Sequence, residues 1–138
     1  MKVAIFSDSH DNLYNIDIFA KWADKFDIDA MICCGDLSKI EVLERIRRFY
    51  TKEIYLVVGN SDSSFISGYV DNLSGVRFYD TFGKVKLDGI NIAFIHYPKE
   101  AMILASSGKY DYVFYGHTHK PWIEEVGSCF LINPGTLA

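Results

Sequence analysis

The stretch "KVAIFSDSHDNLYNIDIFAKWADKFDIDAMICCGD" (Lys2 to Asp36) decides the fold. Its two ends, KVAIFS (Lys2 to Ser7) and DAMICC (Asp29 to Cys34), are short apolar runs that stop in turn-forming residues, as buried strands do. Between them Leu13, Ile16, Ala20, Ala23 and Phe26 recur at steps of three and four, with Asp11 or Asn12 placed to cap the first turn. Strand, amphipathic helix, strand predicts a parallel pair joined by a right-handed crossover. The unit then repeats. A helix from about Ile40 to Phe49 presents Ile40, Leu43 and Ile46, and IYLVV (Ile54 to Val58) comes next as a third strand. On that helix Glu41 with Arg45 and Glu44 with Arg48 are i,i+4 pairs, so the RIRR run reads as a solvated face. The expectation is an α/β fold.

After Gly59 the pattern changes. KVKLDGINIAFI (Lys84 to Ile95) sets Asp-Gly between two alternating runs, which predicts a tight antiparallel hairpin. A short helix at Lys99 to Ser106, a strand at Tyr112 to Tyr115, and a strand pair at Trp122 to Val126 and Cys129 to Asn133 complete the outline. SDSSFISGYV (Ser61 to Val70) reads as a loop or a short helix on the side of the site.

The 138 residues predict one domain, 1–138, with 49% apolar and 23% charged residues, near the globular averages. No apolar run reaches the length of a membrane span, and the first strand begins at Lys2, so a cytoplasmic protein without a membrane partner is expected. A formal charge of -4, a pI near 5.5 and the lack of a basic stripe argue against an extended nucleic-acid partner. Cys33, Cys34 and Cys129 lie inside apolar runs and read as reduced core thiols. Adjacent strand residues face opposite ways, so Cys33 and Cys34 are poorly placed to share a metal.

The residues just past each strand carry the chemistry: Asp8 and His10, then Asp36, Asn60, His96, and finally His117 with His119. Open α/β sheets build their sites at the carboxyl ends of strands, so these seven side chains can converge. Two carboxylates, one amide oxygen and four imidazoles suit divalent transition metals, with no thiolate for a closed structural zinc site. In extended backbone, residues two apart point the same way, which would aim Asp8 with His10, or His117 with His119, at one region, unless the glycines of CGD (Cys34 to Asp36), VGN (Val58 to Asn60) and YGH (Tyr115 to His117) bend the chain sharply as it leaves each strand. Taken singly each has an ordinary reading: a helix cap for Asp8, a turn for Gly-Asp or Gly-Asn, a surface pair for His-x-His. Every histidine of the chain at a strand end is harder to explain that way.

At these positions SDSHDN (Ser7 to Asn12), GD (Gly35, Asp36), GNSD (Gly59 to Asp62), HY (His96, Tyr97), GHTH (Gly116 to His119) and NPGT (Asn133 to Thr136) resemble, in order, the motifs of the calcineurin-like metallophosphoesterases. The small single-domain bacterial and archaeal phosphodiesterases are the most similar type. The resemblance implies a four-layered α/β sandwich with two mixed β-sheets flanked by helices. It implies two divalent metal ions, manganese first, with nickel, iron, cobalt or zinc as alternatives. Carried over by position, Asp8, His10, Asp36 and His119 would hold one ion and Asp36, Asn60, His96 and His117 the other, with Asp36 bridging. The implied activity is hydrolysis of a small phosphodiester, or a phosphomonoester, by hydroxide held between the ions. The alternative is a protein-interaction module on the same scaffold, as in the retromer subunit whose metal site is incomplete; here no ligand position is missing.

Three departures bear on the substrate. Many relatives carry His where this chain has Ser61, so no side-chain general acid or base is assigned beyond the metal ligands. His96 precedes Tyr97 where Gly is common, and the tyrosine ring could narrow the pocket, stack on a substrate ring or simply pack. The chain stops at Ala138, where some relatives carry a basic tail, so contacts from such a tail are expected to be absent. Asn12, Asn60 and Tyr97 are candidate substrate contacts, although a helix cap explains Asn12 equally well. Asp62 is a candidate support for the metal ligands, or a turn cap. An aromatic-rich surface is compatible with a homodimer.

Overall fold

β1 (Val3–Phe6), β2 (Ala30–Cys33), β3 (Glu53–Val57) and β4 (Val76–Tyr79) form one sheet in that order, in a computed structural model that describes residues 1–62 and 73–138. All three pairings are parallel, and Phe6, Cys33, Leu56 and Phe78 lie side by side. That register brings the carboxyl ends of β1, β2 and β3 to one edge, so the loops carrying Asp8, Asp36 and Asn60 leave the sheet together. The crossovers are α1 (Leu13–Lys25) and α2 (Ile40–Phe49).

The second sheet runs β5-β6-β7-β9-β8, from β5 (Phe82–Leu87), β6 (Ile90–Ile95), β7 (Tyr112–Phe114), β8 (Trp122–Val126) and β9 (Cys129–Asn133). Its outer pairs are antiparallel and its inner pairs parallel. The β5–β6 turn uses Asp88 and Gly89, both at positive φ (49° and 78°), the conformation a two-residue hairpin loop needs. Phe94, Phe114 and Ile132 are in register, so His96, His117 and Asn133 emerge at a common edge.

Three apolar layers hold four structural layers. Ile16, Ala20 and Ala23 of α1 and Val42, Leu43 and Ile46 of α2 pack on Phe6, Met31, Cys33, Ile54 and Leu56. Between the sheets Ile32, Cys34, Tyr55 and Val57 meet Ile92, Phe94 and Phe114. On the far face Ala101 and Ala105 of α3 (Pro98–Ser106) cover Ala93, Val113 and Leu131. The fold is therefore an α/β sandwich of two sheets flanked by helices. Strand alternation sends Cys33 to the helix side and Cys34 between the sheets; with Cys129 they are free buried thiols, and burial pushes all three pKa values up.

The structure amends several expectations. Among the described residues only the second sheet is mixed: the three pairs of the first are parallel, and α1 and α2 are the crossovers that return β2 and β3 parallel to the strand before. β4 has no counterpart in the sequence pattern: four residues with Arg77 exposed and Phe78 and Tyr79 half-buried are too short a run to stand out. Phe26 is the C-cap of α1 and half exposed, outside the buried stripe. Arg45 reaches across to Asp17 of α1 with two hydrogen bonds, its Nε at 2.9 Å, which ties the two helices together. Arg47 donates to the carbonyls of Lys52 (2.6 Å) and Ser74 (2.7 Å), so the RIRR run is more than a solvated face. Of the Ser61 to Val70 stretch, the part from Ser63 lies outside the described residues. Among the described residues no helix is long and apolar enough to cross a membrane.

Candidate metal centre

The loops at the strand ends are not extended. Asp8 (φ 53°), His10 (43°), Asp36 (57°), His117 (73°) and His119 (62°) all occupy the left-handed region, at a cost on the order of 1 kcal/mol each. Long-range bonds hold them there: Asp8 N–H donates to Gly35 O (3.0 Å) and His10 N–H to Asp36 O (3.1 Å), locking the first loop onto the second. Extended backbone would point His117 and His119 the same way; the bend that the glycine of YGH allows is present instead. They sit in a turn and their rings diverge, His117 toward Asn60 and His119 toward His10.

Gly116 contributes space to this turn. A Cβ there would lie 2.5 Å from Asp8 Oδ2 and overlap Ser7 Oγ, so the histidine loop reaches Asp8 only because residue 116 has no side chain.

Two donor clusters result. In the first, Asp8 Oδ1 lies 3.6 Å from His10 Nε2 and 3.3 Å from His119 Nε2, and the two imidazole nitrogens are 3.0 Å apart. Asp8 is fully buried. Its Oδ2 accepts from Ser7 Oγ (2.6 Å) and His117 N–H (3.0 Å), whereas its Oδ1 has no hydrogen-bond partner. In the second, Asn60 Oδ1 is 2.8 Å from His96 Nε2 and 3.0 Å from His117 Nδ1, and Asp36 Oδ2 is 3.3 Å from His96 Nε2. Asp36 Oδ2 is also 3.5 Å from His10 Nε2 of the first cluster.

The protonation pattern tests whether a cation fits. His96 Nδ1 donates to Cys34 O (2.7 Å); a carbonyl only accepts, so Nδ1 carries a proton. In the neutral ring Nε2 is then a lone pair facing two further lone-pair atoms, Asp36 Oδ2 and Asn60 Oδ1. Acceptors converging without a donor, together with the orphaned Asp8 Oδ1, are what a divalent ion satisfies. Asp8, His10 and His119, and likewise Asp8, Asp36 and His96, each bring their ligand atoms within 4.8 Å of one another, close enough to hold an ion. Asp8, Asp36 and His96 close the site from behind, and Asn60, His117 and His119 open it to solvent.

Electrostatics obey the same pairing. With no ion bound, a second proton on His96 places Nε2–H against Asp36 Oδ2 in place of a cation; burial would raise the Asp36 pKa, but that hydrogen bond and one from Ser61 N–H (2.8 Å) outweigh it and hold the carboxyl well below the usual range. Burial would lower the His96 pKa, and the Asp36 carboxylate and Cys34 carbonyl outweigh that in turn, so it is raised.

A second set of residues fixes the first. Asp62 accepts the backbone N–H groups of Gly59 (2.7 Å), Asp36 (3.0 Å) and Ser38 (2.9 Å), joining the loops after β2 and β3. Asn133 Nδ2 donates to Gly116 O (3.1 Å) and Thr118 Oγ1 (3.0 Å), and Thr136 Oγ1 donates to Asp8 O (2.6 Å). In the sequence Asn133 and Thr136 stand out only as part of a signature; their position at the end of β9, one more strand end, is the signal that points to the site. Ser61 Oγ lies 3.1 Å from Ser38 Oγ. Asn12 Oδ1 caps α1 by accepting Asn15 N–H (3.2 Å), which leaves its Nδ2 as the group able to donate. Tyr97 packs edge-on against His96, with ring centroids 4.9 Å apart, and 5.4 Å from His117.

Comparison with known proteins agrees with this geometry. The Calcineurin-like phosphoesterase superfamily domain matches residues 1–138. Phosphodiesterase MJ0936 of Methanocaldococcus jannaschii is 30% identical over 139 residues, covering 98% of this chain and 83% of its own. The structure of an archaeal phosphodiesterase superposes with a TM-score of 0.88 at 30% identity, covering 99% of this chain and 84% of that one. Vps29 of Entamoeba histolytica, crystallised with zinc, shares the fold at a TM-score of 0.73 and 22% identity, over 99% of this chain and 74% of its own. Family membership implies divalent metal ions, for which the two clusters are the candidate ligands. The chain belongs to the calcineurin-like phosphoesterase superfamily.

Proposed function

We propose that this protein is a hydrolase of small phosphodiesters that works with two divalent metal ions, manganese first among them. Asp8, His10, Asp36 and His119 would hold one ion and Asp36, Asn60, His96 and His117 the other. The observation that carries the reading is Asp36 Oδ2, which lies 3.5 Å from His10 Nε2 on one side and 3.3 Å from His96 Nε2 on the other. One carboxylate oxygen facing two donor sets is the arrangement a shared ligand requires.

When bound, such an ion pair supplies Lewis acidity, charge neutralisation and a water of lowered pKa. The protein's own part is positioning. Ser61 N–H fixes Asp36 Oδ1 and leaves Oδ2 free to face both clusters. Asp62, Asn133 and Thr136 tie the three ligand loops together, so the donors are aimed before anything binds. Asn60, His117 and His119 are exposed, which gives a phosphate ester access to the donors from solvent. Ser61 stands where many relatives have an imidazole, and its hydroxyl faces Ser38. The leaving group then draws its proton from solvent, which favours esters of acidic alcohols and phenols. The buried free thiols support a reducing, cytoplasmic setting.

The test is metal content measured beside hydrolysis of a chromogenic phosphodiester, for the parent and Asp36→Asn. The parent should bind two equivalents and turn over; the variant should lose at least one equivalent and nearly all turnover. A parent protein with both ions bound that hydrolyses no phosphoester would overturn the proposal and leave the interaction module.

A further inference from the structure

A cleft of about 380 Å³ adjoins the candidate metal centre, and Gly59, Ile95, Tyr97, Asp80 and Glu100 are among its walls. It shares its frame with the site: Gly59 precedes Asn60, and Ile95 and Tyr97 flank His96 in the chain. The Tyr97 ring is braced by His96 at 83° and by His117 at 58°, yet it is 38% exposed. A tyrosine serving only to fill the core would be covered. Pro98, the first residue of α3, comes directly after it and restrains the backbone there, so the ring is held in place before any ligand arrives.

The lining has one sign of charge. Asp80 and Glu100 are exposed carboxylates, and no Lys, Arg or His is among the described residues that line the cleft. Carboxylates accept hydrogen bonds from N–H groups and repel phosphate. The volume falls within the range of sites that bury a small organic group.

We propose, resting on the phosphodiesterase reading above, that this cleft receives the organic arm of the ester, and that the arm is a planar ring carrying N–H donors, such as a nucleobase. Tyr97 is the stacking surface, and Asp80 and Glu100 accept from the ring or its substituents. An arm bearing a second phosphate is excluded by those carboxylates. Tyr97 thereby determines specificity, while the ligand clusters act on the phosphorus.

The experiment compares two p-nitrophenyl phosphodiesters that share a leaving group and differ in the other arm, adenosine or methyl. Parent protein should favour the adenosine ester by roughly tenfold or more in kcat/KM, with the gain carried by KM, as base stacking on an aromatic ring implies. Tyr97→Ala should erase that ratio and Tyr97→Phe should keep it. Asp80→Asn with Glu100→Gln should relax discrimination against an adenosine arm that carries a further phosphate. Equal kcat/KM for both arms in the parent, or Tyr97→Phe behaving as Tyr97→Ala, would overturn the assignment. If the metal-loaded parent hydrolyses neither ester, the proposed reaction fails and the cleft is judged by adenosine binding alone. In saturation-transfer NMR, binding by the parent that is lost in folded Tyr97→Ala supports the cleft, and no binding, or equal binding by both, refutes it.

Discussion

Replacing Asp62 by alanine tests whether the ligand loops are held by a single carboxylate. That side chain accepts three backbone N–H bonds, from Gly59 (2.7 Å), Asp36 (3.0 Å) and Ser38 (2.9 Å). Hydrogen bonds to a charged group contribute about 1.5–3 kcal/mol each when buried, so three set an upper bound of roughly 5–9 kcal/mol. These are only part-buried, and water can take over much of each bond once the carboxylate is gone. We therefore expect about 3 kcal/mol of lost stability, which for a chain of this size lowers Tm by roughly 10 °C. Asp62→Asn should lose less, since one oxygen remains, but its amide would set a donor against a donor. Because Asp36 and the Gly59–Asn60 turn relax with the loops, metal affinity should fall by about 10- to 100-fold. Thermal unfolding of EDTA-treated protein monitored by circular dichroism, then metal titration, measures both. A Tm within about 2 °C of the parent, together with unchanged metal affinity, would refute the claim that Asp62 organises the site.

The same geometry sets two further outcomes. In Asp8→Asn the carboxamide oxygen can still accept from Ser7 and His117 N–H while its NH2 donates toward the His10 and His119 nitrogens. The metal-free variant should match the parent closely in Tm, yet added manganese should raise its Tm by clearly less than it raises the parent's, because the ion held by Asp8 is lost while the Asp36, Asn60, His96 and His117 set remains; an equal metal-induced shift in both proteins would rule out Asp8 as a ligand. Asp17 is held below the ordinary 3.8 by its hydrogen bonds from Arg45 and by that residue's charge. A depressed carboxylate stabilises the fold above its unfolded pKa and loses that contribution as pH falls through the lower folded value. Asp17→Asn should therefore be less stable than the parent at pH 7, with the gap narrowing as the pH falls below 3.8 through the lowered folded value; urea midpoints at neutral and at acidic pH measure it, and a constant gap would remove charge from the explanation.

Most elements were legible because their signals are local. Alternating or continuous apolar runs mark β1, β2 and β3, steps of three and four mark α1 and α2, and Asp88-Gly89 can hardly be anything but a hairpin turn. The same locality hid β4, whose four residues owe their strand to pairing with β3, a partner well separated from them in the chain. It also suggested Glu41 as partner for Arg45, since a helix supplies its own i,i+4 neighbour; the actual partner, Asp17, is 28 residues away and adjacent only once α1 and α2 pack.

The identity and order of the seven candidate ligands are written in the sequence itself, because parallel strands with crossover helices must deliver the residues at their carboxyl ends to one edge. Their aim was decided only in the tertiary structure. Left-handed conformations at five of the seven cost energy that no neighbour in sequence repays, and they persist because Gly35, Asp36, Asp62, Asn133 and Thr136 bond to those loops from distant parts of the chain. Which nitrogen of His117 or His119 faces which cluster depends on those long-range bonds and on the space left by Gly116, neither of which a pattern of residue types encodes.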